Sequence, residues 1–230
     1  MIVVLFAWVE GKKRAPEIKG ERTTCNDCGG QLTAVLPLQN VPHWRHLAGE
    51  CDPWSEPEGP WHLWWKSQFD ISECEIGLLD DVTGERHRAD VLVTGATQTT
   101  VLELQHSSIS DEERAARELF YARGRRMFWL LDMHDEKSFR AYNFGFCFRT
   151  NPPSAMVGTT KFDILQWSGR GSQFIEKWKR SSVHVFLHFN RTIYYLATPL
   201  ACGDLVRSLA PKQFALSAIS EKQFADAVRN

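Results

Sequence analysis

The run Cys25-Asn-Asp-Cys28-Gly-Gly, followed by His43-Trp-Arg-His46 and Cys51, constrains the first quarter of the chain more than any other feature. Two thiolates two residues apart can reach one tetrahedral ion through a tight knuckle, and Gly29 and Gly30 supply the backbone freedom that such a knuckle needs. Cys25 and Cys28 give two ligands. The other two come from His43, His46 and Cys51, and the preferred set is Cys25, Cys28, His46 and Cys51, with His43 as the substitute. Four protein ligands leave no open position, so the expected Zn²⁺ is structural and not catalytic. The competing readings are a reduced cysteine pair beside surface histidines and a redox dithiol. The latter lacks the thioredoxin-like surroundings it would need.

The other cysteines differ. Cys74, Cys147 and Cys202 stand singly in apolar stretches and read as buried thiols. Six Cys in 230 residues is too sparse for a secreted disulfide scaffold, which points to a reducing, cytoplasmic setting. The apolar N-terminal run Ile2–Val9 is short, follows no basic residue and precedes no small-residue cleavage site, so it reads as a strand and not as a secretory signal. With no apolar stretch long enough for a span, no membrane association is expected. Twenty-seven Lys and Arg balance 28 Asp and Glu, for a net charge of -1. That balance excludes a uniformly basic nucleic-acid coat and an acidic disordered tail, but not local patches. Five of the nine Trp (Trp44, Trp54, Trp61, Trp64, Trp65) crowd beside the Cys/His run.

Periodicity gives the order of elements. Gln31 to Leu38 alternates like a strand. Trp61 to Phe69 carries apolar residues at helical spacing. Cys74 to Leu79, Arg88 to Val93 and Thr99 to Gln105 read as strands separated by Gly-containing turns, the last two forming a hairpin. Ser110-Asp-Glu-Glu113 is a capping box that opens a helix to about Arg123, where Gly124 stops it. Met127-Phe-Trp-Leu-Leu131 is wholly apolar, as suits a central buried strand. Residues 58 to 132 thus run helix, three strands, helix, strand. Beyond them, Val183 to Phe189 and Thr192 to Leu196 read as strands around an Asn190-Arg turn, and 219–228 as a short helix.

The chemistry concentrates on Asp90 in one strand and Glu103-Leu-Gln105 in the next. Glu103 and Gln105 share a face because side chains alternate along a strand, and a hairpin would bring Asp90 near that face. Carboxylate oxygens at a strand end suit Mg²⁺ or Mn²⁺. Such an ion can neutralise a phosphodiester and activate a water for in-line attack. Glu58, His62 and Lys66, spaced i, i+4, i+8, would form one polar stripe if all three lay on the helix; a plain solvated face is the alternative. The capped helix carries Arg114, Arg117, Tyr121 and Arg125 toward one side, which would attract a phosphate backbone or simply face solvent. Arg170, Lys177, Lys179 and Arg180 form a second basic group. Trp61, Trp64 and Trp65 can stack bases, but packing the first helix onto a sheet is the preferred role.

Together, Arg88-Ala-Asp90-Val-Leu, Glu103-Leu-Gln105-His-Ser-Ser-Ile-Ser110, Arg117-x3-Tyr121 and Phe128-Trp-Leu-Leu131 resemble the nuclease domain of CoiA-like competence proteins, in the PD-(D/E)XK or restriction-endonuclease-like superfamily. The Cys25-x2-Cys28 knuckle, His43-Trp-Arg-His46 and Glu58-x3-His62-x3-Lys66 also look similar, so the likeness covers about residues 1–132. It implies an α/β (α+β) fold with an αβββαβ core, a mixed central sheet and a small N-terminal β-rich zinc module. It implies that Asp90 and Glu103 bind the divalent metal and that Gln105 stands where the superfamily has a catalytic Lys. Glu58 would help hold metal or water, His62 and Lys66 would line the site, and Arg117 and Tyr121 would support it, with Arg114 beside them. Ala89 and Gln105 depart from the superfamily signature. Without that Lys, Lys66 or a second metal is left to stabilise the transition state.

The expected division is a zinc-knuckle module at 1–55 and a nuclease-like domain with a C-terminal extension at 56–230. The expected activity is metal-dependent DNA endonuclease cleavage leaving 5′-phosphate and 3′-hydroxyl ends, in DNA uptake, phage defence or mobile-element biology. A different class competes: an inactive zinc-containing DNA-binding or interaction module. A hydrolase of small phosphate esters has less support, since nothing resembles a phosphate-binding loop. DNA is the expected partner. A chain this short has little room for a specificity domain, which favours a homodimer or a partner protein of a multi-component system.

Overall fold

The computed structural model describes residues 3–47, 51–54, 58–134 and 139–230, with Val3, Phe139 and Arg140 described through their backbone alone. It divides into two compact units, Met1–Val93 and Thr94–Asn230.

The first unit begins with short strands: β1 (Val3–Val4), β2 (Ala7–Val9), β3 (Lys12–Arg14), β4 (Arg22–Thr24), β5 (Gln31–Val35) and β6 (His43–His46). β1, β6, β5 and β4 form an antiparallel sheet in that order, and β2 pairs with β3. The single strand expected over Ile2–Val9 is broken at Leu5-Phe6. Both amides there donate to the carboxylate of Glu75, at 2.9 and 3.0 Å, and not to a neighbouring strand. Ile2 lies outside the described residues. Val4, Ala7, Leu32, Ala34 and the fully buried Trp44 build a small core, to which Cys25 and Cys51 contribute.

Helix α1 (Pro60–Lys66) follows, with Gly59 at its N-cap and proline in its first turn. It is shorter than the sequence suggests and leaves Glu58 just outside it. Trp65 is fully buried and Trp64 is 42% exposed, so the tryptophans of this helix divide between packing and surface. A 3₁₀ turn at Ile71–Glu73, closed by a capping box on Asp70, leads into β7 (Cys74–Leu79). β7 pairs antiparallel with β8 (Arg86–Thr94), in a register that sets Cys74 opposite Val91 and Ile76 opposite Ala89.

The second unit holds a large mixed sheet. β9 (Thr99–Gln105) precedes α2 (Asp111–Tyr121), β10 (Arg126–Asp132) and α3 (Phe139–Gly145). Then come β11 (Ser154–Val157), β12 (Thr160–Gln166), α4 (Gln173–Trp178), β13 (His184–Phe189), β14 (Thr192–Leu196), α5 (Pro199–Ser208), β15 (Gln213–Ile219) and α6 (Glu221–Arg229). The strands of this unit run in the order β11-β12-β15-β14-β13-β10-β9. β10 is parallel to both β9 and β13, and the remaining pairs are antiparallel. Met127 to Leu131 are all buried, as a strand covered on both faces requires. Trp129 meets Trp178 of α4 on one face, and Phe128 meets Phe224 of α6 on the other.

The order helix, three strands, helix, strand over 60–132 is as the sequence predicts. So is the β13–β14 hairpin, where Asn190 and Arg191 both take the positive φ that a tight hairpin turn demands. At the start of α2, Ser110 Oγ accepts from the Glu113 amide at 3.0 Å. The reciprocal arm of the expected box is replaced, because the Glu113 carboxylate is bound by Arg117. Gly124, at φ 69°, ends the segment. Cys74, Cys147 and Cys202 are buried free thiols, as expected.

Candidate metal and nuclease sites

Three groups of side chains carry chemistry. The first is the thiolate cluster. One donor atom from each of Cys25, Cys28, His46 and Cys51 lies within 4.8 Å of all the others. β6 delivers His46, and the knuckle turn delivers the two nearest cysteines, with Cys25 and Gly30 bonded through their backbones at 2.8 Å. Sγ of Cys25 and Cys51 are 3.8 Å apart, and Cys28 Sγ lies 3.5 Å from His46 Nε2. A tetrahedral ion with Zn–S of about 2.3 Å and Zn–N of about 2.0 Å sets these separations near ~3.8 and ~3.5 Å, so the donor set fits zinc. His43 is not in this group, and its Nδ1 lies 2.9 Å from the Val41 carbonyl oxygen. Cys25 is pulled down to about 4, chiefly by its hydrogen bond with Cys51 and further by the backbone N–H groups of Cys28 and Asp27. The same hydrogen bond pushes Cys51 up.

The second group is built around Lys66, whose side chain is fully buried. Its Nζ donates to Glu58 Oε2 at 2.6 Å and Glu75 Oε1 at 3.1 Å, and pairs as an ion with Asp90 Oδ1 at 3.0 Å. Glu58 reaches this position from the turn before α1, not as part of a helical stripe, which corrects the i, i+4, i+8 expectation. His62 is buried and stands edge-on to Trp61. Glu75 is the member that sequence reasoning missed. A strand residue there would be expected to alternate outward, but the ladder pairs Cys74–Val91 and Ile76–Ala89 flank it, and its φ of 52° breaks the extended backbone between them. The only sequence signal is an acid between Cys74 and Ile76 in an otherwise apolar strand.

Electrostatics divides these acids. Burial pushes Glu75 up, but Lys66, Arg88 and the amides of Phe6 and Leu5 outweigh it and hold the carboxyl at about 2. Burial dominates at Glu58 and raises it well above the ordinary carboxyl range, against the pull of Lys66. Burial disfavours the Lys66 ammonium, yet the three carboxylates raise it overall. A cation already sits among three carboxylates, and their hard oxygens are the donor type that Mg²⁺ or Mn²⁺ prefers.

The third group belongs to the second unit. Glu103 and Gln105 are buried on one face of β9, each 3% exposed. Arg117 Nη1 approaches Glu103 Oε2 at 3.5 Å, and its Nη2 binds Glu113 Oε1 at 2.5 Å. Gln105 Nε2 donates to the carbonyl and Oγ of Ser107, at 3.2 and 3.3 Å. Tyr121 is fully buried on the same helix as Arg117. These are the support positions that the family likeness implies.

The basic groups are more occupied than the sequence suggests. Arg114 is buried and its Nη1 lies 2.7 Å from Glu118 Oε1. Glu118 in turn accepts from the hydroxyls of Ser181 and Ser182 at 2.7 Å each. Arg114 is therefore engaged in an internal network and is not displayed on a surface. Lys177 and Lys179 donate to the main-chain carbonyls of Ile109 and Gln213, and Arg180 pairs with Asp111 at 2.9 Å.

Residues 73–190, about half the chain, match the family described as "Competence protein CoiA, nuclease-like domain". The chain belongs to the CoiA nuclease-like family. The match contains Glu75, Asp90, Glu103, Gln105, Arg117 and Tyr121, and begins after the thiolate cluster and α1. No curated protein and no solved structure matches the chain. No helix among the described residues is long and apolar enough to cross a membrane.

Proposed function

We propose that this CoiA-family protein is a metal-dependent DNA endonuclease of the PD-(D/E)XK type, with Asp90 and Glu103 holding Mg²⁺ or Mn²⁺ and a structural Zn²⁺ on Cys25, Cys28, His46 and Cys51. The observation that carries the reading is the carboxylate set around the buried Lys66, which includes the Asp90 of the Arg-Ala-Asp signature. When bound, the divalent ion supplies a Lewis acid that neutralises the scissile phosphate and lowers the pKa of the attacking water. Asp90 is its accessible ligand, with a side chain 20% exposed. Lys66 keeps that carboxylate oriented and carries the positive charge that Gln105 cannot. Glu58, paired with Lys66 at 2.6 Å, would help hold the metal or its water. Arg117 fixes Glu103 from α2. The functional division proposed is the zinc module at 1–55 and the nuclease-like domain at 56–230.

One observation favours the second reading, an inactive zinc-containing DNA-binding module. Lys66 is fully enclosed, and a Gln stands at position 105. Incubating supercoiled plasmid with the protein and Mg²⁺ or Mn²⁺, beside Asp90→Ala and Glu103→Ala, separates the two. Nicking that both variants lose supports the nuclease. Binding without nicking supports the module, and equal nicking by all three refutes the site.

A further inference from the structure

Arg88 ties the thiolate cluster to the strand that bears Asp90. Arg88 lies two positions before Asp90 on β8, so the two side chains share a face. Its Nη2 donates to Cys51 Sγ at 3.1 Å, and its Nε donates to Asp27 Oδ2 at 2.8 Å. Asp27 sits inside the Cys25–Cys28 knuckle. The Arg88 backbone amide is held as well, donating to Asp52 Oδ2 at 2.8 Å, in the residue after Cys51. His87 completes the grip, with Nδ1 2.9 Å from Asp52 Oδ1. Across the ladder from Arg88 is Gly77, where a Cβ would strike the Asp27 carboxylate, so the knuckle docks only because that position is bare.

We propose that Arg88 is a positioning residue that couples the filled Cys25-Cys28-His46-Cys51 cluster to the placement of β8, and hence of Asp90. The consequence for catalysis rests on the nuclease reading above; the coupling itself does not. Hydrogen bonds donated by a neighbouring side chain to a ligating sulfur orient it and stabilise its charge. A guanidinium suits this role because its donors are fixed in one plane and it stays charged. Cross-linking four ligands through one ion makes the knuckle and the Cys51-Asp52 turn a single rigid support. Arg88 then has two anchors on that support, one on each segment. Without the cross-link the anchors move independently, and β8 loses its fixed edge at Arg88.

The test uses the full chain with Arg88→Ala and Arg88→Lys, and reads zinc and β8 directly. Zinc affinity comes from competition with a chromophoric chelator. The sulfur-to-metal absorption of the Co²⁺-substituted protein reports on the Cys51 hydrogen bond. Hydrogen exchange is followed on peptides covering 86–94 and, as an internal reference, 126–132. The proposal predicts that Arg88→Ala weakens zinc by about 10–100-fold, shifts the Co²⁺ charge-transfer band and raises exchange in 86–94 but not in 126–132. Arg88→Lys, with its charge but no fork, should fall between. Chelating zinc from the wild type should raise exchange in 86–94 in the same way. Should Arg88→Ala fail to fold, Arg88→Lys and the stripped wild type carry the test. Unchanged zinc affinity and an unchanged Co²⁺ spectrum in a folded variant would overturn the proposal. Exchange in 86–94 that ignores zinc would also overturn it, as would a rise of equal size in both peptides. Absence of DNA cleavage with the exchange coupling intact would refute the nuclease reading alone.

Discussion

Replacing Glu75 by Gln isolates the charge at the centre of the first unit's polar network. The carboxyl is held at about 2 in place of an ordinary 4.5. At about 1.36 kcal/mol per pH unit of difference, its ionised form stabilises the fold by roughly 3 kcal/mol. Because the folded-state value is depressed, that contribution is complete above about pH 4.5 and is lost as pH falls toward 2. Gln also turns a donor toward one of the Leu5 and Phe6 amides, a defect it shares with protonated Glu. Urea denaturation followed by tryptophan fluorescence at a series of pH values measures the gap between wild type and Glu75→Gln. The expected result is a gap of roughly 3 kcal/mol at pH 7 that narrows below pH 4.5. Equal midpoints at pH 7, or a gap that does not change between pH 5 and 2, would refute the assignment of Glu75 as the ionised anchor of Lys66 and the N-terminal strands.

Other substitutions probe separate links. Cys25→Ser should lower bound zinc well below one equivalent by elemental analysis, and chelation should unfold the N-terminal sheet, since binding worth ~10–16 kcal/mol rivals the stability of a whole domain; full zinc occupancy in the variant would refute the ligand set. Arg114→Ala takes the paired cation from the buried Glu118 carboxylate, which keeps its bonds from Ser181 and Ser182, and should cost up to about 3 kcal/mol in denaturation, with the salt dependence of DNA binding unchanged; a reduced salt slope at unaltered stability would return Arg114 to the DNA surface. Ser110→Ala removes the bond to the Glu113 amide and should destabilise by ~1 kcal/mol, and a neutral result would mean that the cap contributes nothing.

The sequence is most legible where a local rule and the tertiary environment agree. Met127 to Leu131 is apolar on both faces because β10 has a parallel strand on each side and a helix against each face. The Cys/His spacing predicts its cluster because ligand geometry allows few alternatives, though only the fold chooses His46 over His43. Glu75 was not legible, because it holds the Leu5 and Phe6 amides, some 70 residues upstream, together with Lys66 of α1. The N-terminal strand broke for the same reason: a distant carboxylate captured its amides. The basic clusters misled in a different way. Composition shows charge but not its partners, and Lys177, Lys179 and Arg180 are tied to carbonyls and an acid from other elements. The segment between β10 and β13 holds short elements, and β11, β12 and β15 join by antiparallel pairing with no motif to announce it. In α5 the backbone of Cys202 leaves helical geometry, which blurs the 3.6-residue period.

The central claim is that the carboxylates of Asp90 and Glu103 run a phosphodiester cleavage. Single-turnover cleavage of an end-labelled DNA duplex with Mg²⁺ or Mn²⁺, at protein concentrations that saturate binding, tests it for wild type, Asp90→Asn and Glu103→Gln. The account predicts wild-type products with 5′-phosphate ends, a rate lower by at least ~10²-fold in each variant, and near-native DNA affinity in both. Variants that cleave at the wild-type rate, or a wild type that binds the duplex and leaves it intact with either ion, would contradict it.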